Sequence, residues 1–163
     1  EKSPDKPAGG TGQNLALAEE MFLDWPLGAT VLRVAGIYGP DRGYLYRRYL
    51  RGEAVMDGIG ERWLNMVHHD DVVGALLCAL EIEPGIYNVA DDEPVTQRAF
   101  FAWLAKLLGK SMPPSGKHTP GKRARTSKRV ANGRLKALSW ELRYPTFREG
   151  YTALHAAESA DAE

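Results

Sequence analysis

The segment His68-His69-Asp70-Asp71 groups two imidazoles and two carboxylates, side chains that commonly bind metals or transfer protons. The apolar residues before it predict a strand over residues 62–68, and neighbouring side chains of a strand point to opposite faces. The two histidines would then not reach one ion, and Asp70 or Asp71 would cap the helix that follows. The sequence therefore predicts a strand-to-helix junction and no metal site.

Two glycine-rich stretches match nucleotide-binding loops only in part. Gly10-Thr11-Gly12 lacks the third glycine of the dinucleotide fingerprint, because Leu15 stands at that position and no strand is predicted before it. Residues 116–122 have the spacing of a phosphate-binding loop, but Arg123 replaces the hydroxyl residue that would bind magnesium. Both stretches are predicted to be loops without a nucleotide site.

Lysine and arginine are concentrated between Lys117 and Lys136, where they could contact phosphate groups. No aromatic residue is interleaved with them, so this stretch offers no platform for stacking bases. The whole chain has 21 basic and 21 acidic residues, and its zero net charge does not favour nucleic acid. The stretch is predicted to be a solvated loop, with a contact to a substrate phosphate as the functional alternative.

Composition indicates one soluble domain, since 44% of the 163 residues are hydrophobic and 26% are charged. The single cysteine, Cys78, excludes an internal disulfide and lies in an apolar helical pattern that favours an inert thiol. No apolar run approaches the ~20 residues that span a bilayer. No signal peptide opens the chain, so a cytoplasmic location is expected, and the loop-like opening at residues 1–7 is typical of a piece of a longer sequence.

Strands and helices alternate along the chain, which favours an α/β fold with parallel strands. Runs of β-branched and apolar residues predict strands over residues 30–35, 62–68 and 86–89. Helical periodicity predicts helices over residues 13–24 and 44–51, and capping residues predict helices that begin at Asp70 or Asp71, after Thr96 and at the capping box Thr146-x-x-Glu149. Residues 1–11, 36–40 and 109–128 are predicted to be turns or loops, and residues 158–163 a frayed tail.

Two of the predicted strands have the composition of strands that are buried on both faces. The helix after Asp71 carries a broad apolar stripe that is expected to face the core and comprises Val72, Val73, Leu76, Leu77 and Leu80. A sheet of only three strands leaves an edge without a hydrogen-bonding partner. The sequence therefore predicts that part of the sheet is missing from this chain.

Two segments together resemble the NAD-dependent epimerase/dehydratase family of extended and atypical short-chain dehydrogenase/reductases. The first is Leu32-Arg33-x-x-Gly36-Ile37-Tyr38-Gly39-Pro40, and the second is residues 65–72, Asn-Met-Val-His-His-Asp-Asp-Val. Residues 85–90 and 143–150 match later segments of the family in the expected order. The resemblance extends from about residue 4 to residue 155.

The resemblance implies that the chain is the C-terminal portion of a Rossmann-like parallel sheet with a small mixed substrate domain. Residues 1–163 would form a single partial domain. The glycine-rich N-terminal half, which holds the pyrophosphate of the dinucleotide in the family, would be missing. The implied cofactor is NAD or NADP, and the implied partner is a small-molecule substrate. A homodimer is left open, and neither nucleic acid nor a membrane is expected as a partner.

The resemblance also assigns candidate site residues. The backbone that would lie near the nicotinamide belongs to Val34, Ala35 and Gly36, although relatives that bind nucleotide sugars often have Asn in place of the last. The residues that would line the substrate cleft are Arg62, Asn65 and His68. Two alternatives stay open: Arg62 as a solvated strand end, and His68 as a strand residue hydrogen-bonded to nearby backbone.

No catalytic residue is assigned, because the family's Tyr-x-x-x-Lys pair is absent. If Glu19 is the glutamate that follows the pair in the family, Thr11 and Leu15 occupy its positions. If Glu20 is that glutamate, Gly12 and Ala16 occupy them. The expected function is that of an NAD(P)-dependent epimerase/dehydratase-like protein acting on a sugar nucleotide or similar small metabolite. The alternatives are a catalytically silent binding module on the same fold and a module that binds phosphate or nucleic acid through its basic loop.

Overall fold

A computed structural model of the protein describes residues 10–116 and 127–160. The helices in these ranges are α1 (Gly10–Leu23), α2 (Tyr44–Leu50), α3 (His69–Cys78), α4 (Gln97–Leu108), α5 (Gly133–Lys136) and α6 (Phe147–Ala160). The strands are β1 (Thr30–Val34), β2 (Gly36–Tyr38), β3 (Met56–Asp57), β4 (Trp63–Leu64), β5 (Met66–His68), β6 (Gly85–Val89), β7 (Val95–Thr96) and β8 (Ser115–Gly116). The predicted α/β class is confirmed. Among the described helices, none is long and apolar enough to cross a membrane.

The strands form four pairs, three of them parallel. β1 pairs with β6 from Thr30 opposite Gly85 to Val34 opposite Val89. β2 pairs in parallel with β5, and β3 with β8, whereas β4 and β7 are antiparallel. Because β1 and β6 run in the same direction and end opposite each other, their carboxyl ends lie at one edge of the fold.

Two strand predictions are wrong in detail. Residues 36–38 form β2 rather than a turn, since they find a parallel partner in β5. The strand predicted over residues 62–68 is interrupted at Asn65, because residues 63–64 pair with β7 while residues 66–68 pair with β2. At this interruption the side chain of Asn65 forms hydrogen bonds with the backbone of Lys128 and Val130.

The helix boundaries also differ from the expectations. α1 begins at Gly10, so the loop predicted up to residue 11 is wrong at its end, and Gly10-Thr11-Gly12 is helical. α4 is capped as predicted, since Thr96 Oγ1 accepts from the amide of Ala99 at 3.2 Å. One half of the predicted capping box is present, since the Thr146 amide donates to Glu149 Oε2 at 2.9 Å. α6 continues to Ala160, into the predicted frayed tail, while residues 117–126 and 161–163 lie outside the described part.

The predicted burial of β1 and α3 is wrong for the residues that the structure describes. No residue of β1 is fully buried, and Val34 is 38% exposed. On α3 the expected inner stripe is largely open, since Leu76 is 55% and Leu77 63% exposed. Apolar periodicity identified the helix correctly, but nothing described here covers that face.

Burial is concentrated in two hydrophobic clusters. One lies around β1, β6 and α3 and contains Val67, Ala75, Tyr87, Val89, Leu135 and Trp140. The other joins α2, α4 and α6 and is rich in rings, including Tyr38, Tyr46, Phe100, Phe101, Phe147 and Tyr151. The half-buried thiol of Cys78 packs against the first cluster and lies 3.4 Å from the carbonyl oxygen of Leu138.

A carboxyl group is buried beside the ring-rich cluster. Asp91 is 2% exposed, and its Oδ2 has no hydrogen-bond partner among the described residues. The hydroxyl of Tyr38 is likewise buried and unpaired there. Burial raises the pKa of Asp91 to about 8, against the backbone hydrogen bond from Glu93. Asp91 is therefore mostly uncharged at neutral pH.

We expect Asp91→Asn to raise the melting temperature at pH 8.5 but not at pH 4. The folded pKa lies above the unfolded value, so wild-type stability falls as pH rises between about 4 and 8, and the neutral amide removes that penalty. The expected gain at pH 8.5 is about 5 °C, measured by differential scanning fluorimetry across pH.

The neighbouring Asp92→Asn is the matched control with the opposite sign. Partial burial works to raise the pKa of Asp92, but hydrogen bonds from Asn132 and Lys136 lower it below the ordinary value. This substitution should therefore destabilise the protein at neutral pH. A gain from Asp91→Asn that is equal at pH 4 and pH 8.5 would contradict the buried-acid interpretation.

Candidate substrate-binding site

The three residues that the resemblance placed near a nicotinamide lie where β1 ends and β2 begins. The amide of Ala35 donates to the carbonyl of Val89 at 2.9 Å, and the amide of Gly36 donates to the carbonyl of Asn65 at 3.0 Å. The side chain of Val34 and the backbone of Gly36 are exposed. A Cβ at Gly36 would lie 3.1 Å from the carbonyl oxygen of Asn65, so this turn is tightly packed against β5.

An open cavity of about 580 Å³ is lined by Pro94, Lys128, Arg129, Val130 and Ala131. Its lining is tied to the end of β6, because the side chain of Asn88 donates to the carbonyl of Ala131 at 3.0 Å. Most of this lining belongs to residues 127–132, which we call the wall segment. Lys128 and Arg129 are exposed and give the cavity a positive border. Such a border favours ligands that carry phosphate or carboxylate groups.

Asn65, predicted to line the substrate cleft, forms two hydrogen bonds to the wall segment. Its Nδ2 donates to the carbonyl of Lys128 at 2.8 Å, and its Oδ1 accepts from the amide of Val130 at 2.8 Å. The side-chain amide is thus engaged on both of its polar ends by protein backbone. Asn65 is absent from the residues that line the cavity, and it lies behind their backbone.

The structure also brings an aromatic side chain to the basic stretch. The guanidinium of Arg129 lies 5.2 Å from the ring centroid of Trp63, a cation–π distance. The amide of Trp63 donates to Ser127 Oγ at 3.1 Å. Sequence reasoning missed Trp63 because it considered only aromatics interleaved with the basic residues, whereas the fold supplies one from β4.

Arg62 does not join the cavity lining. Its Nε lies 3.9 Å from Asp57 Oδ2, and its side chain is 24% exposed. That nitrogen is otherwise unpaired among the described residues. The structure places Arg62 at the start of β4, facing the β3 side, so its assignment to the substrate cleft stays a prediction.

For His68 the structure favours the alternative of a structural role. Its Nδ1 accepts from the amide of Asp70 at 3.2 Å, so His68 caps α3. The prediction that Asp70 or Asp71 is the cap is wrong, because Asp71 turns inward to accept from the amides of Arg143 at 2.6 Å and Tyr144 at 3.3 Å. Burial, and then the neighbouring imidazole, lower the pKa of His68, which keeps the ring neutral.

The reason given against a metal at this junction is also corrected. His69 is the first residue of α3, not a strand residue, and its ring lies 4.5 Å from that of His68. One donor atom from each of His68, His69 and Asp70 fits within 4.8 Å. Several of these groups have other partners: His68 Nδ1 accepts from the Asp70 amide, His69 Nε2 lies 2.9 Å from Asp70 Oδ1, and Asp70 Oδ2 pairs with Arg143 at 3.0 Å. His69 Nδ1 is buried without a hydrogen-bond partner among the described residues. The absence of a metal stays a prediction.

Glu19, one of the two candidates for the family's glutamate, forms an ion pair with Arg33. Arg33 Nε lies 3.0 Å from Glu19 Oε2, which joins β1 to α1, whereas Glu20 is exposed. In the register in which Glu19 is the family's glutamate, Leu15 occupies the lysine position. Leu15 is 62% exposed and offers no ammonium group.

If His68 is a cap and packing residue, His68→Ala should lower the free energy of unfolding by about 2–4 kcal/mol, because it removes a buried ring and a cap. His68→Asn should recover part of this loss, since Asn is a good N-cap. Urea denaturation of the three proteins measures the difference. Equal losses for both variants would show that capping contributes nothing.

No family model matches the sequence. The 3-diazoavenalumate denitrifying reductase of a Streptomyces species is 29% identical in an alignment that covers 91% of this chain and 54% of that protein. The chain spans about half the length of the curated relatives it matches.

Solved structures share the fold over nearly the whole chain. A conserved protein of unknown function from Silicibacter pomeroyi has a TM-score of 0.83 and 33% identity, covering 96% of this chain and 59% of that one. UDP-glucose 4-epimerase from Thermotoga maritima, solved with UDP-glucose, has a TM-score of 0.73 and 26% identity, covering 93% of this chain and 53% of the epimerase. Several other neighbours were solved with NAD or NADPH.

Proposed function

We propose that the chain forms the substrate-binding part of an NAD(P)-dependent protein of the epimerase/dehydratase kind. The chain has the fold of the NAD-dependent epimerase/dehydratase family, as its resemblance implied. The proposed substrate is a sugar nucleotide or a similar small anionic metabolite. The observation that carries the proposal is the cavity beside the carboxyl ends of β1 and β6, bordered by Lys128 and Arg129. In open α/β sheets, ligands bind at this edge.

The charge of the cavity border supports an anionic substrate. Lys128 and Arg129 are neighbours in the chain, and both border the cavity. A diphosphate could meet both cations, with the guanidinium of Arg129 held against Trp63. The rest of the substrate would then extend towards Val34 and Gly36, where the surface is exposed and Gly36 adds no side chain.

The described residues fit only the nicotinamide end of a dinucleotide. Val34, Ala35 and Gly36 present a small apolar surface beside the cavity, which suits one face of a planar ring. Such a cofactor supplies hydride transfer when bound. Residues of this chain would orient the ring and hold the substrate against it.

A catalytically silent binding module is the second candidate. It is favoured by the absence of the family's Tyr-x-x-x-Lys pair, since Leu15 or Ala16 stands at the lysine position in the two possible registers. Without that ammonium and the tyrosine it assists, acid–base catalysis at the substrate has no assigned group. Incubation with NAD⁺ or NADP⁺ and UDP-glucose would distinguish the two: an active protein transfers a hydride from a sugar carbon to the oxidised cofactor and gives an oxidised, epimerised or dehydrated sugar nucleotide, whereas the silent module predicts binding without turnover.

We expect UDP-glucose, titrated into the isotopically labelled chain, to shift the backbone amide resonances of the wall segment and of Gly36 saturably. Lys128→Glu should weaken the affinity at least about tenfold, because it replaces an attraction to the diphosphate by a repulsion. Glucose alone should produce no such shift.

Lys106→Glu is the matched control, since it makes the same charge change on the exposed face of α4. It should leave the affinity within about twofold of wild type, and added salt should weaken both proteins alike. Shifts that appear elsewhere, or that Lys106→Glu reduces as much as Lys128→Glu does, would contradict the proposed site.

A further inference from the structure

We propose that Asn65 is a positioning residue, which acts with Asn88 and Asn132 to fix Lys128 and Arg129 at the border of the cavity. We call these three asparagines the clasp. The inference rests on the proposed function, because it concerns how the cavity presents its cations to an anionic ligand. In this proposal Asn65 hydrogen-bonds the backbone of the wall segment and does not contact the substrate.

The side-chain amide of Asn65 uses both its donor and its acceptor on the wall segment. A side-chain amide offers the same donor and acceptor as a peptide group, so it can pair with an extended backbone as a strand would. Asn65 binds the carbonyl of Lys128 and the amide of Val130, both at 2.8 Å. Arg129 therefore lies between two anchored peptide groups, and its backbone is held on both sides.

The other two asparagines hold the far end of the same segment. Asn88, on β6, donates from Nδ2 to the carbonyl of Ala131 at 3.0 Å. Asn132 is buried, and its Nδ2 lies 2.8 Å from both the carbonyl of Ala90 and Oδ1 of Asp92. Residues 127–132 belong to no helix or strand, although the Asn132 carbonyl accepts a helical hydrogen bond from the amide of Lys136 at 3.2 Å. The position of the wall segment is thus set by the side chains of Asn65 and Asn88, which lie outside it, and by its own Asn132.

Asn65 further couples the wall segment to the turn after β1. Its carbonyl accepts from the amide of Gly36 at 3.0 Å, while its side chain holds Val130. One residue thereby fixes the distance between the exposed turn at Gly36 and the cations. A ligand that spans these two points depends on Asn65 without touching it, because a small displacement of a positioning group costs affinity.

The test uses inorganic pyrophosphate as the probe and follows the amide resonances of the wall segment in the full chain. Asn65→Ala should weaken pyrophosphate binding about tenfold, and Lys128→Ala combined with Arg129→Ala should do so at least as much. Adding Asn65→Ala to that double variant should cost less than about twofold more, because Asn65 acts only through these cations. Asn14→Ala, the same substitution on an exposed position of α1, is the control and should change nothing.

A merely structural Asn65 would change the melting temperature and leave pyrophosphate affinity intact, and that result overturns the inference. Additive losses in the combined variant also overturn it, since they would mean that Asn65 binds the ligand directly. If wild type binds no pyrophosphate, the anionic site of the proposed function fails. The clasp is then decided by hydrogen exchange: faster exchange of the Val130 amide in Asn65→Ala supports it, and unchanged exchange refutes it.

Discussion

The parallel pairing of β1 with β6 determines where this protein can bind a ligand. Five residue pairs bring both strands to an end at the same edge, with Val34 opposite Val89. β2 continues from β1 after a single residue and pairs with β5, so the edge also receives the junction at Asn65. Polar backbone that is not used in ladders is thereby collected at one place, beside the cavity.

Side-chain amides supply hydrogen bonds to backbone groups of the wall segment that no strand ladder pairs. The wall segment must lie close to the strand ends, yet it contributes no strand of its own. Asparagine suits this task because a short amide side chain replaces a backbone hydrogen-bonding partner at nearly the same distance. Asn65 and Asn88 serve two different strand ends, and Asn132 reaches back from the segment itself. The cations of the cavity are thus carried on backbone that is anchored at several points.

Local patterns in the sequence predicted the elements well but not their surroundings. Thr96 and the pair of Thr146 and Glu149 were found because capping is a short-range interaction that a sequence displays directly. The capping role of His68 was given to the aspartates, because the choice depends on whether Asp71 turns inward to residues 143 and 144. Trp63 was missed, and the hydrogen-bond partners of Asn65 were not predicted, for a similar reason: these partners lie on the wall segment, and no spacing rule connects them.

The most direct measurement is a crystal structure of the protein grown with UDP-glucose. We expect the diphosphate to lie against Lys128 and Arg129 and the sugar to extend towards Gly36. The side chain of Asn65 should stay hydrogen-bonded to the wall segment. A nucleotide bound elsewhere on the chain, or a direct hydrogen bond from Asn65 to the ligand in place of its bonds to the wall segment, would contradict this expectation.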